Sequence, residues 1–186
     1  MISIWSQHVE TWKDCQRCSL GGQRTRICLA RGTLPCDVLF IGEAPGLSED
    51  AIGQPFVGPA GRLLDQIIAR AVPAKTTYAL TNLVACFPRE AKLQGYNEPD
   101  RDEILECQPR LTELINLAKP SLIVCVGGLA DQYTPRNPPI HYVRIDHPAY
   151  ILAHMPLVQQ GMAVQKCIVI IRSALEKLTN EEGEKI

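Results

Sequence analysis

Four short apolar runs, each ending in turn chemistry, constrain this chain more than anything else in it. In order they are "DVLFIGEAPG", "YALTNLVAC", "SLIVCVGG" and "HYVRIDHPAYIL". The first is typical of a buried parallel strand running into a functional turn, the next two read as strands rich in β-formers or apolar residues, and the last as a strand leading to a loop. Helical stretches lie between them. "GPAGRLLDQIIARAV" puts Leu63, Leu64, Ile67, Ile68 and Ala71 on one face before Pro73 stops it. "EPDRDEILECQPRLTELINLAKP" has Pro99 near its start and acidic residues in its first turn, which suits the helix dipole. A short helix follows from Leu129, and "PLVQQGMAVQKCIVIIRSALEKL" reads as a closing helix interrupted or weakened near Gly161. Strand–helix alternation predicts an α/β fold: a three-layer α/β/α sandwich around a central, mainly parallel four-stranded sheet. At 186 residues the chain is expected to form a single domain over 1–186, with a mostly acidic tail at 180–186. "AKLQGYN" and the last few residues read as disordered. Ligands in such folds bind at the carboxyl ends of the strands, here "GEAPG", "NLVAC", "GG" and "DHPAY".

The formal net charge is −1, which argues against a strongly basic nucleic-acid binder overall. Charge is nevertheless uneven: Lys13, Arg17, Arg24, Arg26 and Arg31 make the beginning basic, so a local DNA-binding face is compatible with the total. No apolar run reaches membrane-spanning length, and "MISIWSQHVE" lacks a signal peptide's regions; a cytoplasmic location is the expectation. Eight cysteines are many for such a compartment, where structural disulfides are rare, and metal binding or catalysis explains some of them better. Cys36, Cys125 and Cys167 sit among apolar residues and read as small hydrophobes. Cys28 has no partner at ligand spacing. Cys15 and Cys18 form a C-x-x-C pair, and Cys86 and Cys107 stand far downstream. Four thiolates from separate segments suit zinc or an iron–sulfur cluster, and spacing alone does not separate the two.

"GEAPGLSEDAIGQPFVGPAG" is neither a Walker loop nor G-x-G-x-x-G. Glu43 stands at the strand end, and Phe56 lies between Pro55 and Val57 in a Gly-bounded turn. A rigidly held aromatic beside a carboxylate suits a pocket for a flat ligand.

With "TNLVACFPR", "EILECQPRL", "LIVCVGGLA", "HPAYIL" and the flanking "CQRCSL", this block occurs in the order seen in the family 4 uracil-DNA glycosylases, over roughly residues 12 to 152. The chain resembles that iron–sulfur type of the uracil-DNA glycosylase superfamily. The resemblance implies hydrolysis of the N-glycosidic bond of uracil in DNA after base flipping, leaving an abasic site. It implies a [4Fe–4S] cluster on Cys15, Cys18, Cys86 and Cys107, making 12–31 a cluster-binding segment. Phe56 would stack on the base and Asn82 would read its edge, with Gly42, Ala44 and Gly46 lining the site. His147 would stabilise the departing anion, and Glu43 would orient water or stabilise the sugar cation, with Glu49 or Asp50 as a possible helper. Without the resemblance, Asn82 reads as a turn residue and His147 as structural; Glu49 and Asp50 equally read as N-cap or surface carboxylates, Asp50 the more so. His8, His141 and His154 match no motif. Uracil-containing DNA is the implied partner, no membrane is involved, and the implied state is monomeric.

Several positions depart from relatives within the superfamily. Ala44 stands where other branches carry aspartate, an absence that family 4 shares. Gly46 occupies the place of a tyrosine that excludes the thymine methyl in some branches. "DQYTPRNPPIHYVRI" is a short connection to "DHPAY", and "ACFPR" is less basic than the family's usual sequence, which weakens phosphate binding. A glycosylase for a modified or deaminated base, or a non-catalytic DNA- or partner-binding protein on the same scaffold, is the alternative.

Overall fold

In the computed structural model, residues 4–89 and 98–183 are described, and the following refers to them. The strands are β1 (Arg31–Gly32), β2 (Val38–Gly42), β3 (Tyr78–Asn82), β4 (Leu122–Val126) and β5 (His141–Ile145). The helices are α1 (Ile4–Trp12), α2 (Leu47–Ile52), α3 (Pro59–Ala71), α4 (Arg101–Ala118), α5 (Gly128–Tyr133), α6 (Pro148–His154) and α7 (Leu157–Gly183), with a 3-10 turn at Ser19–Gly22. The sheet order is β1-β3-β2-β4-β5. The four longer strands run parallel to one another, with Gly42 opposite Asn82 and Val126 opposite Ile145.

The expected four strands are present, and a fifth corrects the count. β1 pairs antiparallel with β3 at the sheet edge, Arg31 opposite Leu80. Two residues are too few to show a period, so nothing in the sequence marked them. Gly32 makes the pairing possible: its φ is +111°, and a Cβ there would lie 2.5 Å from the Tyr78 carbonyl oxygen. The rim also differs. α6 forms where "HPAYIL" reads as strand and loop, started by Pro148 at its first position. α7 runs unbroken through Gly161, correcting the expected interruption. A Cβ at Gly161 would meet nothing within 4 Å, so this glycine serves no close approach. Its helix-propensity cost of about 1 kcal/mol is outweighed by burial of Ala163, Cys167, Ile168 and Ile171 on the same helix.

Alternation along the strands divides the core in two. Val38, Phe40, Leu80, Leu122, Val124 and Val126 face Leu64, Ile67 and Ile68 of α3, Ile151 of α6 and the apolar stripe of α7. Leu39, Ile41, Ala79, Ile123 and Cys125 face Ile104, Leu111, Ile115 and Ala118 of α4, with Ala130 of α5 and Leu20. These are the three layers predicted from the strand–helix alternation. Cys36, Cys125 and Cys167 are buried, as read. α4 begins with a reciprocal cap: Asp100 accepts from the Glu103 amide at 2.8 Å, and Glu103 accepts from the Asp100 amide at 2.9 Å. The "AKLQGYN" segment and residues 184–186 lie outside the described residues. Among the described residues no helix is long and apolar enough to cross a membrane.

β2 leads through α3 on one face to β3, whereas β4 leads through α5 on the other face to β5. Adjacent strands whose connections leave in opposite directions open a crevice at their carboxyl ends. That crevice lies between the ends of β2 and β4, at Glu43 and Gly127.

Candidate functional site

Two side chains, one from the loop after α2 and one from the end of β3, meet at the end of β2. A Cβ at Gly42 would lie 2.3 Å from Phe56 Cζ and 2.5 Å from Asn82 Oδ1. Only a residue without a side chain lets the ring and the carboxamide meet there. Asn82 is 2% exposed, and among the described residues its carboxamide has no hydrogen-bond partner. This differs from a turn residue that satisfies nearby backbone groups.

Phe56 is fixed through its backbone. Its φ of +59° is left-handed, a conformation that costs a non-glycine residue energy. Arg31 holds it there, donating to Pro55 O at 2.8 Å and Phe56 O at 3.0 Å while pairing with Asp65 at 2.7 Å. Glu49 stiffens the same loop: its carboxylate accepts from the amides of Gly46, Val57 and Gly58 at 3.0, 2.8 and 2.7 Å. Its oxygens are thereby committed to the backbone, which corrects the expectation of a helper at the reacting centre. Gly46 is the N-cap of α2 beneath Glu49, and Ala44 packs against the α4-side core. Asp50 is also corrected. It is 1% exposed and accepts from the Thr25 amide at 2.8 Å and from Arg89 at 2.7 Å, so it is a buried tether. Burial would raise its pKa, but the hydrogen bonds from Thr25, Arg26 and Arg89 outweigh it and hold the carboxyl below its usual value.

Across the crevice, His147 lies over Gly127, whose φ is +100°; a Cβ there would sit 3.2 Å from His147 Cβ and 3.3 Å from Cδ2. His147 Nδ1 accepts from the Ala149 amide at 3.1 Å, capping α6. Burial pushes its pKa down to about 4, so the ring is neutral near pH 7. A neutral imidazole accepting at Nδ1 carries its proton on Nε2, leaving that nitrogen a donor. Glu43 follows Gly42, and its pKa is raised to about 7, by burial first and by the Glu98 carboxylate second. Among the described residues its carboxylate has no partner. From the β3 column to the β5 column is roughly 14 Å, three strand spacings; Asn82 reaches inward to the end of β2 and His147 to the end of β4.

The four singled-out cysteines meet on the α4 side. Cys15, Cys18, Cys86 and Cys107 line one small, mainly apolar cavity with Trp12, Ile27 and Arg110. Burial pushes the Cys86 thiol up to about 11, against the nearby Arg24 guanidinium. Arg24 straps the segment down, donating to Cys15 O at 2.7 Å, Gly21 O at 3.2 Å and Cys86 Sγ at 3.5 Å. The Cys28 amide adds a bond to Ala85 O at 2.8 Å, and Ser19 Oγ donates to Glu103. Cys28 itself is buried with its thiol on Glu49 O at 3.2 Å and is not among the residues lining that cavity. Among the described residues no three Cys, His, Asp or Glu side chains gather closely enough for a single metal ion.

Sequence reasoning missed Arg24, Arg31 and Arg110. Each is a cation that a local pattern assigns to a solvated face. Arg110 is 1% exposed and donates to Thr81 Oγ1 at 2.9 Å, Asn82 O at 2.6 Å and Leu83 O at 2.8 Å. His8, to which no role was given, is buried on Glu113 Oε1 at 2.8 Å and anchors α1 to α4.

The sequence model of the Uracil DNA glycosylase superfamily matches residues 30–168. Three similar proteins carry the name Type-4 uracil-DNA glycosylase. That of Saccharolobus solfataricus is 37% identical over 122 residues, 65% of this chain and 54% of the relative. That of Pyrobaculum aerophilum is 36% identical over 118 residues, 63% and 58%. That of Thermotoga maritima is 32% identical over 130 residues, 70% and 64%. The chain thus spans less than two thirds of the length of each of these relatives.

Proposed function

The chain belongs to the uracil-DNA glycosylase superfamily, and from that premise we propose that it excises uracil from DNA by hydrolysing the N-glycosidic bond. The observation that carries this is the meeting of the Phe56 ring and the unengaged Asn82 carboxamide over Gly42. A base inside a duplex is out of reach, so the target nucleotide is flipped into the crevice. Phe56 stacks on the extruded pyrimidine. The Asn82 carboxamide accepts from uracil N3–H and donates to O4, and cytosine offers the opposite pattern at both atoms.

Bond breaking places positive charge on the sugar and negative charge on the base. The His147 Nε2–H donates to the base O2 as that charge grows, and being neutral it gives up no proton of its own in the ground state. Glu43, when ionised, stabilises the sugar cation or takes a proton from the attacking water. Its burial holds it near the point where both charge states coexist at neutral pH.

Cys15, Cys18, Cys86 and Cys107 would hold a [4Fe–4S] cluster. The four thiols line one cavity, as a shared metal-thiolate site requires, and the family resemblance favours the iron–sulfur cluster over zinc. When bound, the cluster supplies structure, pinning 12–31 against the 86–107 region, and hydrolysis needs no redox step. The partner is DNA carrying uracil or another altered base. The chain acts as a monomeric single domain in the cytoplasm.

The test is release of free base from oligonucleotides containing uracil, hypoxanthine, xanthine or a thymine mismatch. Uracil release that is lost in Asn82→Ala and His147→Ala is the expected result. Folded, iron-loaded protein that releases no base from any of them refutes it.

A further inference from the structure

Arg110 raises a problem that the proposed reaction does not solve. A fully buried guanidinium needs compensating negative charge, yet among the described residues no carboxylate pairs with it. Its partners are a hydroxyl and two carbonyls, and its Nε has no partner at all. The residue follows Pro109 in α4 and lies one helical turn from Cys107. It lines the cavity shared by the four cysteines. One side chain therefore touches both the cysteine cavity and the backbone that carries Asn82.

We propose that Arg110 is a positioning residue that couples occupancy of the four-cysteine cavity to the base-reading end of β3. This rests on the reading of the cavity as a metal-thiolate site. Thiolates on iron leave a net negative group, which supplies the counter-charge that the guanidinium lacks. With that charge present, Arg110 stays fully desolvated and its two forks clamp Thr81, Asn82 and Leu83. With it absent, the buried cation is uncompensated and shifts towards water, and the Asn82 and Leu83 carbonyls lose their donor. The carboxamide over Gly42 then loses its fixed orientation. The cluster thus governs base recognition without touching the base.

Hydrogen exchange over residues 79–85 tests this in full-length protein, purified anaerobically and compared with the same protein after chelator has removed its metal. In the wild type, metal removal is expected to speed exchange of this segment roughly tenfold to a hundredfold, the worth of one hydrogen bond to a charged group. In Arg110→Gln the segment exchanges fast with or without metal, while β2 and β4 stay protected. Arg110→Lys keeps the charge but cannot span three acceptors, and it falls between the two. A general loss of stability would instead speed all strands together. Metal-bearing wild type whose 79–85 exchange is unchanged by metal removal overturns the coupling, as does Arg110→Gln that behaves like wild type. Wild type purified without metal overturns the metal-thiolate premise and the coupling with it. Metal-loaded protein that shows the exchange difference but releases no uracil upholds the coupling and sinks the glycosylase reading instead.

Discussion

Replacing Glu43 with Gln should stabilise the protein and disable it, and the stabilisation should depend on pH in a specific way. Burial first, and the Glu98 carboxylate second, raise the Glu43 pKa from 4.5 to about 7. Folding therefore binds a proton on Glu43 between those values, and wild-type stability falls as pH rises across the same window. Glutamine carries no proton to lose. Below pH 4.5 both proteins present a neutral group and should be equally stable. From there to about pH 7 the variant gains about 1.4 kcal/mol per pH unit, reaching at most about 3 kcal/mol and staying level above. The assay is urea unfolding of both proteins at pH 5, 6, 7 and 8, with base release measured in parallel. Wild-type release should rise through pH 7 as Glu43 ionises, and the variant should release little at any pH. A stability difference that is the same at pH 5 and pH 8 refutes the account of Glu43 as a carboxyl held in a site that disfavours its charge. Variant activity near wild type refutes its role in the reaction.

Glu98→Gln removes the second cause of that shift and should move the activity profile to lower pH; an unmoved midpoint means Glu98 does not act on Glu43. Gly42→Ala drives a methyl into Phe56 Cζ and Asn82 Oδ1, costing about 1–3 kcal/mol by overpacking and abolishing base release in a protein that still folds. Circular dichroism with the oligonucleotide assay checks both halves. Nitrogen-15 shifts of His147 should report a neutral, Nε2-protonated ring from pH 8 to pH 5, and a midpoint near 6.5 would contradict its burial and its bond to Ala149. Arg24→Ala releases the strap across Cys15, Gly21 and Cys86, so its iron should be lost to chelator several-fold faster than from wild type. Cys86→Ser should lose the iron outright.

The fold was legible because its central strands β2 and β4 are buried on both faces and so read as plain apolar runs, and because α3 and α4 carry clear stop and start signals. β1 was not legible, being two residues long and defined only by its partner across the sheet. From the residues alone, Glu43 could be picked out at a strand end of an α/β sheet and Phe56 in its Gly-bounded turn, whereas Asn82 and His147 could be picked out only through the family resemblance. What each one touches could not. The carbonyls that Arg110 serves lie 27 and 28 residues away in the chain, and the Phe56 carbonyl lies 25 from Arg31. Local patterning assigns such cations to solvent, since only the folded sheet brings their acceptors near. Asp50 was misplaced for the same reason: its partners Thr25 and Arg89 are remote in sequence.

The cysteine cavity is assembled from three stretches of chain, the last of them inside α4. During synthesis Cys15 and Cys18 leave the ribosome long before Cys107 does, so no nascent chain short of α4 owns a complete set of donors. On the proposed reading, a cluster would have to be delivered to a polypeptide whose β2 and β3 have already been made. Cells short of that delivery would accumulate full-length protein whose N-terminal segment is held by Arg24 and His8 without the thiolate links, and proteases would find it there first.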